Sequence, residues 1–320
     1  MIQLNKKKSL ILVRKKIALG ILGLFFLAFS ITLSISIYVG WNLTHVVHGK
    51  IIETPVKYNL KYENISFDSQ LDGTNLKGWW ISAQNNNILI NSKKTVIFAH
   101  GYRQTRDLSK IHDLVLAKRF AKEGYNCMLF DFRNSGQSDG KVTSVGLFET
   151  YDMLSAIKYA KQNKNSSSIS LIGWSMGAAV SIMAGTKSKD VKKIIADSSF
   201  ADLETYLKTN LSVWSNLPNF PFTIEIMSTL PVIEGLDPEK VSPQKTVKNL
   251  EDKKLFLIHS KADTDVPYKN SVQIYNNVKN KANVQLWLTN KASHMKSYLL
   301  YKTEYEDKLV KFLNENQVEY

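Results

Sequence analysis

The 320-residue sequence contains a single cysteine, Cys127, which lies in the apolar run 125–130. One cysteine allows no disulfide within the chain and no zinc site built from cysteines, and its apolar surroundings favour a small buried side chain over a nucleophile or ligand. The six histidines include no H-x-x-x-H or H-E-x-x-H pair. The sequence therefore predicts no metal and no other cofactor, and the chain is long enough to bury a large core without them.

Charge is absent from Ile17 to Gly40, where Leu, Ile, Phe, Ala and Ser dominate. The stretch is about as long as a helix that crosses a bilayer core, so residues 17–40 are predicted to form a transmembrane helix. Residues 1–16 contain no acid and carry six positive charges, on Lys6, Lys7, Lys8, Arg14, Lys15 and Lys16. By the positive-inside tendency, this basic leader stays in the cytoplasm and everything after Trp41 lies outside the cell.

A cleavable signal peptide is the alternative interpretation of this segment, since the small residues Ser34 and Ser36 suit a signal peptidase. The apolar run is longer than a usual signal core, which favours an uncleaved, single-pass anchor in the cell membrane. With cleavage, the folded part would be secreted instead. A buried soluble helix is the least favoured interpretation, because a helix that is apolar all round and follows a basic leader rarely belongs to a soluble core.

A nucleic-acid partner is not predicted, although the formal net charge is +14. Six of those charges lie in the leader, and the remaining +8 is dispersed over the rest of the chain. No basic stripe interleaved with aromatic residues is present, as a nucleic-acid surface would require. The charge is interpreted as a lysine-rich solvated surface.

Residues 41–57 are predicted to be a juxtamembrane linker, and residues 58–320 a folded domain. Two extended runs, 58–68 and 75–83, flank a turn and predict an antiparallel hairpin. Apolar strands then alternate with amphipathic helices. The predicted strands are Thr95–Ala99, Asn126–Asp131, Ser168–Ile172, Lys193–Asp197, Lys254–His259 and Val284–Leu288. The predicted helices are Leu108–Lys122, Phe148–Gln162, Met176–Thr186, Tyr268–Asn277 and Ser297–Glu315. Such alternation predicts an α/β fold with a doubly wound, mostly parallel sheet, whose site lies at the carboxyl ends of the strands.

One interval, about residues 198–250, interrupts this alternation and is rich in Leu, Trp, Phe and Pro. A compact domain rarely keeps so long a structureless loop, so the interval is predicted to be a helical cap insertion.

The pentapeptide Gly173-Trp174-Ser175-Met176-Gly177 stands between the strand Ile169 to Ile172 and a run of small helix-forming residues. A serine on a sharp strand-to-helix turn is held in a strained geometry, and glycines two positions away on either side avoid clashes. Ser175 is therefore a candidate nucleophile. The alternative is a serine that only caps the following helix.

A serine nucleophile needs an imidazole base, and the imidazole needs an acid that holds its tautomer. Two loops that follow later strands supply candidates for both. Asp263 and Asp265 lie after the strand that ends at His259, and His294 follows the strand that ends at Leu288. His294 is the best base, because the other histidines precede the serine or stand within the segment that carries the acids.

These motifs resemble the α/β-hydrolase superfamily, in particular bacterial membrane-anchored serine hydrolases of the serine-aminopeptidase-like and monoacylglycerol lipase-like branch. His259 to Pro267 is similar to the family's H-G-x-x-D-x-x-V-P loop, with Ser260 in place of the glycine. The resemblance implies that Asp263 is the triad acid and that Asp265 is only its neighbour. Asp197 is an outside candidate, since some members take the acid from the preceding strand.

His100-Gly101-Tyr102 resembles the family's oxyanion loop, in which the histidine is structural. The resemblance implies that the backbone N–H groups of Tyr102 and Met176 stabilise the oxyanion. Residues 131–138 are similar to the family's D-x-R-x-x-G-x-S loop, which is interpreted as a structural brace for the nucleophile turn and not as a catalytic group.

The implied function is that of a serine hydrolase that cleaves a small-molecule carboxylic ester through an acyl-enzyme, with Ser175, His294 and Asp263 as its triad. A peptidase or aminopeptidase and an acyltransferase are alternatives on the same fold. A peptidase is expected to present a carboxylate to the substrate's amino terminus, for which Glu204, Glu225 and Glu234 are available. A catalytically silent surface-binding module is the alternative from another class. No oligomeric state is predicted.

Overall fold

The computed structural model describes the backbone of residues 2–315 and the side chains of residues 9–315. The side chains of Lys6, Lys7 and Lys8 in the predicted leader, and the last five residues of the predicted domain, lie outside this range. The chain divides into two compact units. One comprises residues 1–43 and 208–235, and the other residues 44–207 and 236–320.

Strands and helices alternate along most of the chain after a long first helix. The strands are β1 (Tyr62–Asp68), β2 (Asn75–Ile81), β3 (Gln84–Asn85), β4 (Ile88–Leu89), β5 (Lys94–Ala99), β6 (Asn126–Phe130), β7 (Ser168–Trp174), β8 (Val191–Asp197), β9 (Lys254–Ser260) and β10 (Val284–Thr289). The α-helices are α1 (Ile2–Thr44), α2 (Asp113–Lys122), α3 (Leu147–Asn163), α4 (Met176–Lys187), α5 (Leu203–Ser215), α6 (Ile224–Ile233), α7 (Pro243–Thr246), α8 (Lys269–Asn277), α9 (Ser297–Leu300) and α10 (Lys302–Asn314).

The larger unit is built on an eight-stranded sheet in the order β1-β2-β6-β5-β7-β8-β9-β10. Strand β2 pairs antiparallel with β1 and β6, and the strands from β6 to β10 pair parallel. All five residues of β6 are buried, as expected for a strand that is covered on both faces. Two apolar clusters form the core. The predicted α/β class with a doubly wound, mostly parallel sheet is confirmed.

Three predicted elements begin late or are interrupted, each at a residue whose backbone leaves the regular conformation. The first strand starts at Tyr62 rather than Tyr58, because residues 55–58 form a 3₁₀ turn that ends at Asn59 with φ 55°. The helix predicted from Leu108 starts at Asp113, after His112 with φ 59°. The last predicted helix is divided at Tyr301, whose φ is −121° and ψ 36°.

The smaller unit combines α1 with the middle of the insertion. By length and composition, Ser9–Thr44 is long and apolar enough to cross a membrane. The insertion is helical, as predicted. Within this unit it contains the end of α5, a π-helical turn at Asn219–Thr223, and α6.

Candidate active site

Ser175 stands between β7 and α4, on a backbone that few non-glycine residues adopt. Its φ is 55° and its ψ −120°, so the turn stores strain. The two glycines of the pentapeptide are required by their surroundings. A Cβ on Gly173 would lie 2.2 Å from the carbonyl oxygen of Gly177, and one on Gly177 would lie 2.1 Å from that of Ala99. The backbone N–H of Ser175 donates to the carbonyl oxygen of Asp197 at 2.9 Å, which fixes the turn to β8.

His294 lies on the loop between β10 and α9 and connects Ser175 to Asp263. Its Nε2 is 2.9 Å from Ser175 Oγ, and its Nδ1 is 2.7 Å from Asp263 Oδ2. Because a carboxylate only accepts, Nδ1 carries the proton and Nε2 is left to accept from the serine hydroxyl. Ser175, His294 and Asp263 thus form one continuous hydrogen-bonded chain.

Asp263 is held by four donors in a fully buried position. Its Oδ1 accepts from the backbone N–H groups of Asp265 and Val266 at 3.0 and 2.9 Å. Its Oδ2 accepts from His294 and lies 3.3 Å from Nε2 of His259, and its side chain is 0% exposed. Burial alone would raise the pKa of Asp263, but the hydrogen bonds from the two histidines outweigh it and hold the pKa well below its usual range. The carboxylate is therefore ionised at neutral pH.

The two other candidate acids lie elsewhere. Asp265 is exposed, and its backbone carbonyl accepts from Tyr206 at 3.0 Å. Asp197 is buried and accepts hydrogen bonds from the hydroxyls of Ser198 and Tyr305 at 2.8 and 2.9 Å. Burial raises the pKa of Asp197 to about 6. The acid that is hydrogen-bonded to His294 is Asp263, the residue that the resemblance implies.

The predicted oxyanion loop begins at the end of β5. His100 accepts from the backbone N–H of Phe132 through Nε2 at 3.0 Å and donates through Nδ1 to the carbonyl of Gly101 at 2.8 Å. This neutral tautomer agrees with burial, which lowers the pKa of His100. His100 therefore shapes the loop from within.

The loop carries Tyr102 to the neighbourhood of the nucleophile turn. A Cβ on Gly101 would lie 3.5 Å from Cβ of Ser175, so the chain passes directly beside the serine. Met176 follows Ser175 as the first residue of α4, where backbone N–H groups have no partner within the helix. The role of the backbone amides of Tyr102 and Met176 as oxyanion donors stays a prediction.

The loop 131–138 braces other elements. Arg133 pairs with Asp152 of α3 at 2.8 Å and with Asp72 of the hairpin at 2.9 Å. Asp131 pairs with Arg106 at 3.0 Å. The ion pairs of Arg133 tie the loop to α3, which packs on the sheet, and to the turn of the β1–β2 hairpin at the edge of the sheet.

His259 is the residue that sequence reasoning missed. It is fully buried at the end of β9, and its Nε2 faces Val266 O at 2.8 Å as well as Asp263, while its Nδ1 lies 2.7 Å from Ser271 Oγ. The signal was its place as the first residue of the motif that carries Asp263. Within the part of the chain that the structure describes, no three His, Cys, Asp or Glu side chains are grouped to hold a metal ion.

Comparisons with known proteins identify a family and several similar proteins. Residues 90–250, which contain the loop at Tyr102 and the turn at Ser175, match a hydrolase family described as serine aminopeptidase, S33. The uncharacterized protein YqkD of Bacillus subtilis is 27% identical over 245 residues, 76% of each chain. The bovine lysophosphatidylserine lipase ABHD12 is 23% identical over 210 residues, 62% of this chain and 50% of its own. The esterase Pf2001 of Pyrococcus furiosus superposes with a TM-score of 0.68 at 28% identity, over 84% of this chain and 97% of its own.

Proposed function

Because the chain belongs to the serine aminopeptidase S33 family of α/β-hydrolases, we propose that it is a serine hydrolase that cleaves carboxylic esters through an acyl-enzyme. The observation that carries the proposal is the hydrogen-bonded chain from Ser175 through His294 to Asp263, with distances of 2.9 and 2.7 Å. The first distance is within the range that proton transfer from a nucleophile to a general base requires, and the second lets the acid hold the tautomer of the base.

In the first half-reaction, Ser175 Oγ attacks the ester carbonyl while Nε2 of His294 takes its proton. The amides of Tyr102 and Met176 hold the negative oxygen of the tetrahedral intermediate. Asp263 stays ionised and stabilises the imidazolium. The intermediate collapses when the alcohol leaves with the proton from His294, and the acyl group remains on Ser175.

In the second half-reaction, His294 takes a proton from a water molecule that attacks the acyl-enzyme. Collapse of the second intermediate returns the proton to Ser175 Oγ and releases the carboxylic acid. An acyltransferase would use the same steps with an alcohol or amine in place of water.

Esters are favoured over peptides as substrates. The esterase Pf2001 and the lipase ABHD12 are named for ester chemistry. An aminopeptidase needs a carboxylate for the substrate's amino group, and Glu225, one of the three candidates, is already bound by the hydroxyls of Thr32 and Ser36. The peptidase named in the family description is the second candidate function.

The long apolar helix α1 supports the proposal that the protein is anchored in a membrane. Residues 17–40 carry no charge, and the basic leader precedes them. We therefore propose a single-pass anchor with the hydrolase unit outside the cell.

A substrate panel tests the proposal. The detergent-solubilised full chain is given p-nitrophenyl esters, monoacylglycerols, lysophospholipids and aminoacyl p-nitroanilides. Ester hydrolysis is expected, with activity lost in Ser175→Ala and kept in Ser188→Ala at the other end of α4. Cleavage of the anilides alone would replace the esterase by the peptidase, and a folded protein that turns over none of them would contradict the proposal.

A further inference from the structure

The carboxyl-terminal half of α1 carries a row of small residues on one face. Thr32, Ser36 and Gly40 recur every four residues and therefore lie one above another on the helix. Small residues at this spacing let membrane helices approach closely, and hydroxyls among them hydrogen-bond across the contact. From Ser9 to Phe29, by contrast, the side chains of the helix are exposed on all faces.

Helix α6 contacts this row at both ends. The carboxylate of Glu225 accepts from Thr32 Oγ1 at 2.8 Å through one oxygen and from Ser36 Oγ at 2.7 Å through the other. At the far end, a Cβ on Gly40 would lie 3.5 Å from Cδ2 of Leu230. Glu225 is 8% exposed and Leu230 2%. An acid is costly to bury without partners, and here both of its oxygens have one.

The rest of the segment 208–235 exposes apolar side chains. No charged residue stands between Lys208 and Glu225 or between Glu225 and Glu234. The exposed apolar residues are Val213, Trp214, Phe220, Ile224, Val232 and Ile233. A surface of this kind, continuous with a helix of membrane-spanning length, fits a lipid environment.

We infer that residues 208–235 are a membrane element of this enzyme, docked on the Thr32-Ser36-Gly40 row through Glu225 and seated in the lipid leaflet around that part of α1. The inference rests on the proposed membrane anchor. Signal cleavage after Ser34 or Ser36 would remove at least one hydroxyl that binds Glu225 or separate the row from the chain. Helix α1 is accordingly retained in the mature protein as the structural partner of the insertion.

Cross-linking tests the docking. Gly40→Cys and Leu230→Cys are combined in the full chain, with a protease site inserted beside Val47, which is 92% exposed. Burial raises the pKa of native Cys127, so that thiol does not react. A short, reducible bifunctional thiosulfonate applied to intact membranes is expected to keep the amino-terminal fragment attached after proteolysis, and reduction to release it. The control pair combines Leu230→Cys with Gly20→Cys, where an added Cβ would meet no atom within 4 Å apart from its own helix backbone.

The role of the Thr32 and Ser36 hydroxyls is tested by measuring the same cross-linked fraction. Thr32→Val with Ser36→Ala should reduce the cross-linked fraction at least threefold. Ser34→Ala should leave it unchanged, because the exposed Ser34 bonds its own helix at the carbonyl of Ser30. Cross-linking equal to the control pair, or a mature protein that lacks α1, would overturn the docking.

Fluorescence tests the seating. A nitrobenzoxadiazole label on Val232→Cys, in vesicles of phosphatidylcholine and phosphatidylglycerol, is expected to be quenched by spin-labelled lipids and protected from iodide. The control label is on Ile88→Cys, an exposed apolar position in the other unit, and should show the reverse. If iodide quenches both labels alike, water covers this surface and the proposal fails. If dilution of the protein in lipid restores iodide quenching at position 232, a second copy of the chain covers the surface, and the proposal fails as well. Ester hydrolysis measured on the same samples separates these outcomes from failure of the proposed function.

Discussion

Replacing Asp263 with Asn is expected to disable the base while leaving the fold intact. The two oxygens of Asp263 have different partners: Oδ1 accepts from the backbone N–H groups of Asp265 and Val266, whereas Oδ2 accepts from His294 and lies 3.3 Å from Nε2 of His259. Because the backbone donors are fixed, the amide oxygen of the substituted side chain must take the Oδ1 position. The amide NH₂ then faces Nδ1 of His294.

That orientation forces the other tautomer of His294. An NH₂ group can only donate, so Nδ1 must give up its proton and accept, and the proton moves to Nε2. Nε2 then has no lone pair for the hydroxyl of Ser175. Loss of the correct tautomer in a serine triad lowers kcat by about 10⁴, which corresponds to about 5.5 kcal/mol of transition-state stabilisation at 1.36 kcal/mol per tenfold change.

The assay compares kcat and KM for a p-nitrophenyl ester in Asp263→Asn and in its matched control Asp265→Asn. Asp265 is exposed and contributes its backbone to the loop, so its variant should stay within about twofold of the parent, the range expected for a surface substitution. The thermal midpoints of both variants show that they fold. If Asp263→Asn keeps a tenth of the parent kcat, or if Asp265→Asn is the more damaged variant, Asp263 does not set the tautomer of His294.

Three further predictions concern residues around the Ser175-His294-Asp263 triad. Gly177→Ala should lower the free energy of unfolding by about 3 kcal/mol or more, because the new methyl group would lie 2.1 Å from the carbonyl oxygen of Ala99. Urea unfolding measures this change, and a loss below about 1 kcal/mol would contradict the close contact. Burial raises the pKa of Asp197 to about 6 in the folded protein, so the native state binds a proton that the unfolded state has lost, and this residue's contribution to stability should fall as the pH rises from about 4 to 6. Asp197→Asn should therefore reduce the pH dependence of the thermal midpoint over that range, and an unchanged pH dependence would contradict the prediction. His259→Leu should cost about 2 kcal/mol in urea unfolding, because Asp263 loses a partner in a buried site, and an equally stable variant would contradict that role.

The nucleophile turn was predictable because its causes are local. Strand, glycines and helix adjoin Ser175 in the sequence, and the close contacts at Gly173 and Gly177 are consequences of the same turn. The strands of the parallel sheet were predictable for a similar reason, since each is a short apolar run. The interruptions at His112 and Tyr301 follow from backbone angles that the hydrophobic pattern does not encode.

The choice between Asp263 and Asp265 needed more than local pattern. Two carboxylates two residues apart look alike in sequence, and the resemblance alone separated them. In the structure, the loop turns Asp263 inward and Asp265 outward. Ser260, the departure from the family motif, is accommodated because its buried hydroxyl accepts the backbone N–H of Ala262 at 3.2 Å.

The partners of Glu225 could not be predicted from the sequence. Thr32 and Ser36 stand some 190 residues away from it along the chain, and a run of apolar residues does not say which of its faces will be covered. The role of His259 was hidden for the same reason, since Ser271 lies on a later helix. Long-range polar contacts of this kind depend on the finished fold.

Covalent labelling shows directly whether Ser175 is the nucleophile. The full chain is treated with a fluorophosphonate, digested, and the modified residue is located by mass spectrometry. One adduct is expected, on Ser175. It should disappear in Ser175→Ala and form at least a hundredfold more slowly in His294→Ala, because the serine then lacks its base. A folded protein that is labelled at another serine, or not at all, would contradict this role of Ser175.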